Sequence, residues 1–188
     1  MNDRLPPLPA EQLDDAQRAA AAELIAGPRK AVKGPFIPLL RSPELVQRVG
    51  KLGEYLRFGS VLPTRVNEFA TLIVSRAWTQ QFEWAVHAAA AAKAGTSAAS
   101  IAALREGRRP DDMDADESLT HDFCTELLAN HGVSDATYER ARGRFGERGV
   151  VELATLVGYF VMVSMVLNVA HTPAEPGAAI EPLPPLPR

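Results

Sequence analysis

Four side chains between positions 68 and 87 have the types and spacing to handle a proton: Glu68, then Gln80, Glu83 and His87. An unperturbed histidine titrates near ~6.5, so an imidazole beside a carboxylate can hold a proton at neutral pH and hand it on. Residues three and four apart on an α-helix share a face, which sets Gln80, Glu83 and His87 one turn above another, with Glu68 on the preceding helix. The same residues admit a plainer reading. Glu83 and His87 as an i,i+4 pair could simply decorate a solvated helix face, contributing roughly 0.2–0.5 kcal/mol.

The elements that must position them form a helical hairpin over about 63–94. Its first helix opens at Pro63, a residue suited to the first helical position. It then repeats apolar residues with helical period (Val66, Phe69, Ala70, Ile73, Val74, Ala77) and carries no charge from Phe69 to Val74, so Glu68 sits at the edge of a buried region. The second helix, about 80–94, is expected to bury Phe82, Ala85, Val86 and Ala89 and to end at Gly95, a C-terminal cap.

Around this hairpin the chain reads as helix throughout, with no strand pattern. Helices are expected over about 11–26, 43–58, 97–104, 115–130, 134–145 and 147–170, with Leu45, Val46, Val49, Leu52 and Leu56 inward on the second of these. The connection over 27–43 is longer than most helix–helix links and carries Phe36, Ile37, Leu39 and Leu40. It should fold down over something, as an active-site cover or as core packing. The loop at 106–114 reads as a charged connector. The last helix is apolar enough over 150–170 to span a bilayer, but Glu152, Thr155, Ser164 and Asn168 interrupt it. Because no basic asymmetry flanks it, it is predicted to be a central helix buried on all sides through oligomerisation. Residues 1–10 and 172–188 are rich in proline, either as disordered tails or as arms wrapping a neighbouring subunit, and 11–171 form the helical domain between them.

Composition narrows the function. With 46% hydrophobic and 23% charged residues and a net charge of −3, the chain is of ordinary globular type and lacks the concentrated basic face that nucleic acid requires. The basic runs at 28–30 and 108–109 are too short to alter that. One cysteine, Cys124, gives no internal disulfide, and it lies in an apolar helix stripe suited to packing. The first residues hold no apolar signal core, and a cytoplasmic location is expected.

The spacing Glu68, Gln80, Glu83, His87 resembles the pattern of the alkylhydroperoxidase D branch of the carboxymuconolactone decarboxylase superfamily, in which the two middle positions are cysteines. Here both thiols are replaced, so the frame is kept without the redox pair, and the chain looks more like the decarboxylase side. The resemblance extends over about 34–171, including GPFIPLLRSPEL and GVVELATLVGYFVM. It implies a single-domain, all-α bundle of seven or eight helices assembled as a trimer or hexamer. It also implies a cofactor-free, metal-free enzyme acting on a small carboxylated lactone or related unsaturated acid.

On that frame His87 is assigned as proton donor, Glu68 as the group that orients it, and Glu83 or Gln80 as contacts to the substrate or its oxyanion. Arg41, Arg57 and Arg76 are candidate clamps for a substrate carboxylate. Trp84, with Trp78, could wall the pocket or pack between helices, and Tyr159 is a further possible donor. His171 is expected to cap the last helix. Alternative functions are isomerisation of a similar substrate, a thiol peroxidase role disfavoured by the missing cysteines, and a non-catalytic binding protein.

Overall fold

Helix starts after Asp14, Ser97, Asp114 and Ser134 are fixed by short polar side chains that cap the first turn. The computed structural model describes residues 2–174 and 180–185, and within them it is all-helical, without strands. After a 3-10 turn at Ala10–Gln12, α1 (Asp15–Ala26) begins at Asp14. There the Asp14 and Gln17 side chains and backbones bond reciprocally in a capping box, so the helix starts several residues later than expected. The connection to α3 (Pro43–Glu54) contains a short helix, α2 (Phe36–Leu39). α4 (Thr64–Ala77) and α5 (Gln81–Ala94) form the antiparallel hairpin. α6 (Ala98–Arg105) and α7 (Ala115–Asn130) are capped by Ser97 and Asp114, and α8 (Asp135–Ala170) by Ser134. Gly146, at φ 71°, breaks α8 where two separate helices are predicted. His171 closes it in the left-handed conformation, its backbone N–H bonding Leu167.

α4 is the axis of the molecule, packing against α5, α6, α7 and α8. Every residue from Val66 to Arg76 on it is buried, polar ones included. Thr71 and Ser75 are accommodated because their hydroxyls donate to the carbonyls one turn back, at Asn67 (2.8 Å) and Thr71 (2.7 Å). The turn into α5 is tight: Thr79 adopts φ 48°, unusual for a β-branched residue, and Gln80 follows as the helix cap.

Two packing expectations are corrected. On α3 the inward face is Val46, Val49, Gly50 and Gly53, while Leu45 and Leu52 are 45% and 40% exposed. The glycines win that face because a Cβ at Gly53 would overlap the Tyr159 hydroxyl, so the helix approaches α8 more closely than a leucine face could. On α5 the buried set is Phe82, Glu83, Trp84, His87, Ala88 and Ala91, with Ala89 exposed, so the acid and imidazole are turned inward. Within the single chain α8 is only partly buried. Half of its most apolar window lies inside the molecule, and Val151 and Val169 are each 65% exposed.

The proline-rich ends lie against this same chain. Arg4 donates to the last carbonyls of α8, and Arg41 reaches back to Leu5 and Pro6. Residues 180–185 run across the backs of α4, α5 and α6. Leu183 is buried there, and the segment's backbone bonds Gln81, Trp84, Arg105 and Arg76. The remainder of the predicted tail, 175–179 and 186–188, lies outside the described residues.

Candidate functional site

The hairpin turns Glu68, Glu83 and His87 toward one another in the interior. His87 is 5% exposed and Glu68 and Glu83 are each 4% exposed. His87 Nδ1 donates to Glu68 Oε2 across the hairpin at 2.5 Å, and Nε2 faces Glu83 Oε2 one turn back at 3.3 Å. The plain reading of Glu83 and His87 as a solvated surface pair is thereby excluded. The Phe160 ring stands edge-on to the imidazole, with centroids 4.9 Å apart, and fixes its plane. Burial pulls the His87 pKa down, but the hydrogen bonds and charges of Glu68 and Glu83 outweigh it, leaving the value raised. With a carboxylate at each ring nitrogen, imidazolium is the favoured form.

These three side chains border a cavity of about 300 Å³. Its walls come from four parts of the chain: the loop before α2, the end of α3, the hairpin and α8. The loop over 27–43 acts as a cover, placing Arg29, Lys33 and Phe36 on the cavity. Gly34, at φ 55°, lets it lie flat on Phe82, since any Cβ there would run into that ring. After α3 the backbone widens into one π turn, Tyr55–Gly59, which buries Leu56 and brings Arg57 to the cavity.

Of the arginines considered from sequence, Arg57 reaches the site, with Nε 3.9 Å from Glu68 Oε1. Tyr159 also lines the cavity, its hydroxyl engaged by Arg29. Burial lifts the tyrosine pKa to about 12 despite the nearby Arg29, so it stays protonated at neutral pH. The others fall elsewhere. Arg41 is spent on the carbonyls of Leu5 and Pro6 because α2 points it toward the N-terminal arm. Trp84, buried on α5, does not line the cavity, and its indole N–H donates to the carbonyl of Glu181 (3.0 Å).

Gln80 does not line the cavity either. As the residue before α5 it has extended backbone (ψ 105°), so it leaves the helical row. Its carbonyl oxygen accepts from the N–H groups of Phe82 and Glu83, and its amide donates to Asn168 on α8. It holds the start of the site-bearing helix in place. Cys124 lies on α7, wholly buried, and burial alone pushes its thiol pKa up, leaving no reactive thiolate.

Sequence reasoning missed Arg29, Asn67 and Thr71 as lining residues. Arg29 stacks its guanidinium over Phe36 at 4.4 Å and leaves Nε without a partner, while Asn67 is held by the Leu56 carbonyl with its own Oδ1 unpaired. The one available signal was the excess length of the 27–43 loop. Among the described residues no group of three or more His, Cys, Asp or Glu is arranged to hold a metal ion.

No curated protein matches the sequence. Residues 43–117, from the start of α3 into the first turn of α7, match the family model described as Carboxymuconolactone decarboxylase family. That segment contains Glu68, Glu83 and His87, together with the hairpin that aligns them. Through it the chain is similar to the carboxymuconolactone decarboxylase family over those residues, with a single cysteine in place of any redox pair.

Proposed function

We infer that this protein is a carboxy-lyase acting, without a bound cofactor, on a small carboxylated, unsaturated lactone or a related acid. The observation that carries the reading is an imidazole held between two carboxylates, 2.5 Å and 3.3 Å away, beside a mostly apolar cavity. Loss of carbon dioxide breaks the bond between carboxylate and ring carbon and leaves the electron pair on that carbon. The conjugated carbonyl of the substrate delocalises it. His87, as imidazolium, delivers a proton to the carbon and is recharged from solvent, while Glu68 fixes the ring and stabilises its charged form. Arg29 and Arg57 supply the positive charge that holds the substrate's anionic end, and Tyr159, kept protonated, donates to the developing oxyanion.

The test is turnover of a carboxymuconolactone-type acid followed by NMR and by carbon dioxide release. Unchanged turnover in His87→Ala would remove His87 from the chemistry. A second reading rests on Glu83 and His87 lying side by side on the cavity wall. Two adjacent proton carriers can move a double bond without releasing carbon dioxide, making an isomerase. Product analysis in the same assay separates the two.

The protein also associates with itself in this reading. Val151, Met165 and Val169 on α8, with Phe58 nearby in the chain order after α3, leave large apolar side chains in water on a single copy. Sedimentation equilibrium at the 20.3 kDa monomer mass would overturn it.

A further inference from the structure

Arg76, one of the candidate clamps by sequence, faces away from the cavity and into a second hollow. Its side chain is buried, 6% exposed, at the C-terminal end of α4. Among the described residues no carboxylate lies within ion-pair reach of it. Nη1 donates to the Pro184 carbonyl (2.6 Å), and Nε, fully shielded from solvent, has no partner. A guanidinium withdrawn from water in this way calls for a counter-charge. Burial, with the neighbouring Arg105 charge, pulls its pKa below the ordinary value.

The hollow beside it measures about 390 Å³ and shares no residue with the proton-transfer cavity. Its floor is apolar, formed by Ile73, Leu104 and Leu128, and its rim carries Arg108, Arg109 and His121. Gly107, at φ 75°, turns the backbone past Arg76, and a Cβ there would sit in ordinary contact with Nε, at 3.5 Å. The loop read from sequence as a charged connector therefore runs directly beside this guanidinium. The acids nearby are engaged: Glu106 pairs with Arg108 (2.6 Å), and Asp122 takes both Arg109 (2.5 Å) and Arg140 (2.9 Å). Among the described residues Arg76 is left with no carboxylate of its own.

We propose that this hollow is a binding site for a small organic anion, a carboxylate on a compact apolar body. The carboxylate sits on Arg76 and Arg108, and the body lies on Ile73, Leu104 and Leu128. Phosphate alone would satisfy the charge but leave the apolar floor wet, and a neutral analogue would leave the guanidinium unpaired.

His121 is the reporter, because it borders the hollow and its Nδ1 accepts from Arg109 (3.0 Å). Benzoate, benzyl alcohol and inorganic phosphate are titrated in turn into the full-length protein, and the His121 ring resonances are followed by NMR. Benzoate should move them saturably, with the other two weaker by about tenfold or more. Arg76→Gln and the exposed Arg108→Gln should each weaken benzoate by about tenfold, whereas Arg29→Gln, in the other cavity, should leave the His121 response unchanged. Should Arg76→Gln fail to fold, Arg108→Gln decides. Three results overturn the proposal: a benzoate response unchanged in Arg108→Gln, equal binding of phosphate, or a change in association state in Arg76→Gln, which would assign the counter-charge to a second copy.

Discussion

Two buried carboxylate clusters in this protein look alike in sequence, each a glutamate inside an apolar helix, and they are built for opposite purposes. Glu152 on α8 has both oxygens filled. Oε1 accepts from the Tyr55 hydroxyl (2.5 Å) and Arg148 Nε (2.7 Å), and Oε2 from the Ser60 hydroxyl (2.7 Å) and the Val61 N–H (2.8 Å). Burial alone would raise its pKa, but these four donors carry it down to about 2. Glu68 and Glu83 share one imidazole, with Arg57 at 3.9 Å from Glu68, and they open onto the cavity. A carboxylate with every lone pair engaged cannot change its proton state without dismantling its surroundings. One tied to a single ionisable ring can, when a substrate arrives to complete the set. Glu152 fastens the π turn to α8; Glu68, Glu83 and His87 leave room for chemistry.

The comparison can be tested by exchanging losses. His87→Ala should lower turnover by on the order of 10²–10⁴-fold, well beyond the stability lost as buried Glu68 and Glu83 give up their shared partner. If stability falls as far as activity, the cluster is structural like Glu152. Glu152→Gln should do the reverse, lowering unfolding free energy at pH 7 by about 2 kcal/mol in urea titrations and leaving turnover nearly intact.

The two clusters should also respond to pH in opposite directions. The Glu152 pKa is depressed on folding, so its contribution is full above about 4.3 and disappears as pH falls toward about 2. Acid denaturation curves should flatten over that window in Glu152→Gln. The His87 pKa is raised on folding, so its contribution is full below about 6.5 and is lost as pH climbs through the raised folded value. His87→Gln should remove that alkaline slope and leave the acid limb unchanged. The smallest effect is expected at Gln80. Gln80→Ala should cost about 1 kcal/mol through loss of the α5 cap and change turnover only modestly, and a loss as large as that of His87→Ala would return Gln80 to the substrate side.

Much of the fold was legible because it is written locally. Ser97, Asp114 and Ser134 mark helix starts, Gly95 and Gly146 mark a stop and a break, and the period of α4 announces its burial. The pairing of Glu68 with His87 was legible too, since hairpin geometry brings two adjacent helices together. Residues whose use depends on a distant partner were not. Trp84 and Arg41 looked like pocket residues until the chain ends took them, and Gln80 counted as helical until its backbone proved extended. Arg29 lay in a loop whose path no period encodes.

Hydrophobic period, caps and the 68–87 spacing determined by themselves that this chain is all-helical, has a central hairpin and carries an acid–imidazole set, because such signals act within a few turns of helix. Only the tertiary structure decided what that set faces. The cavity is closed by a cover loop, a glycine face and a π turn from separate parts of the chain. Its charge depends on Arg29 and Arg57 arriving there, and burial and electrostatics are sums over neighbours that sequence order does not list.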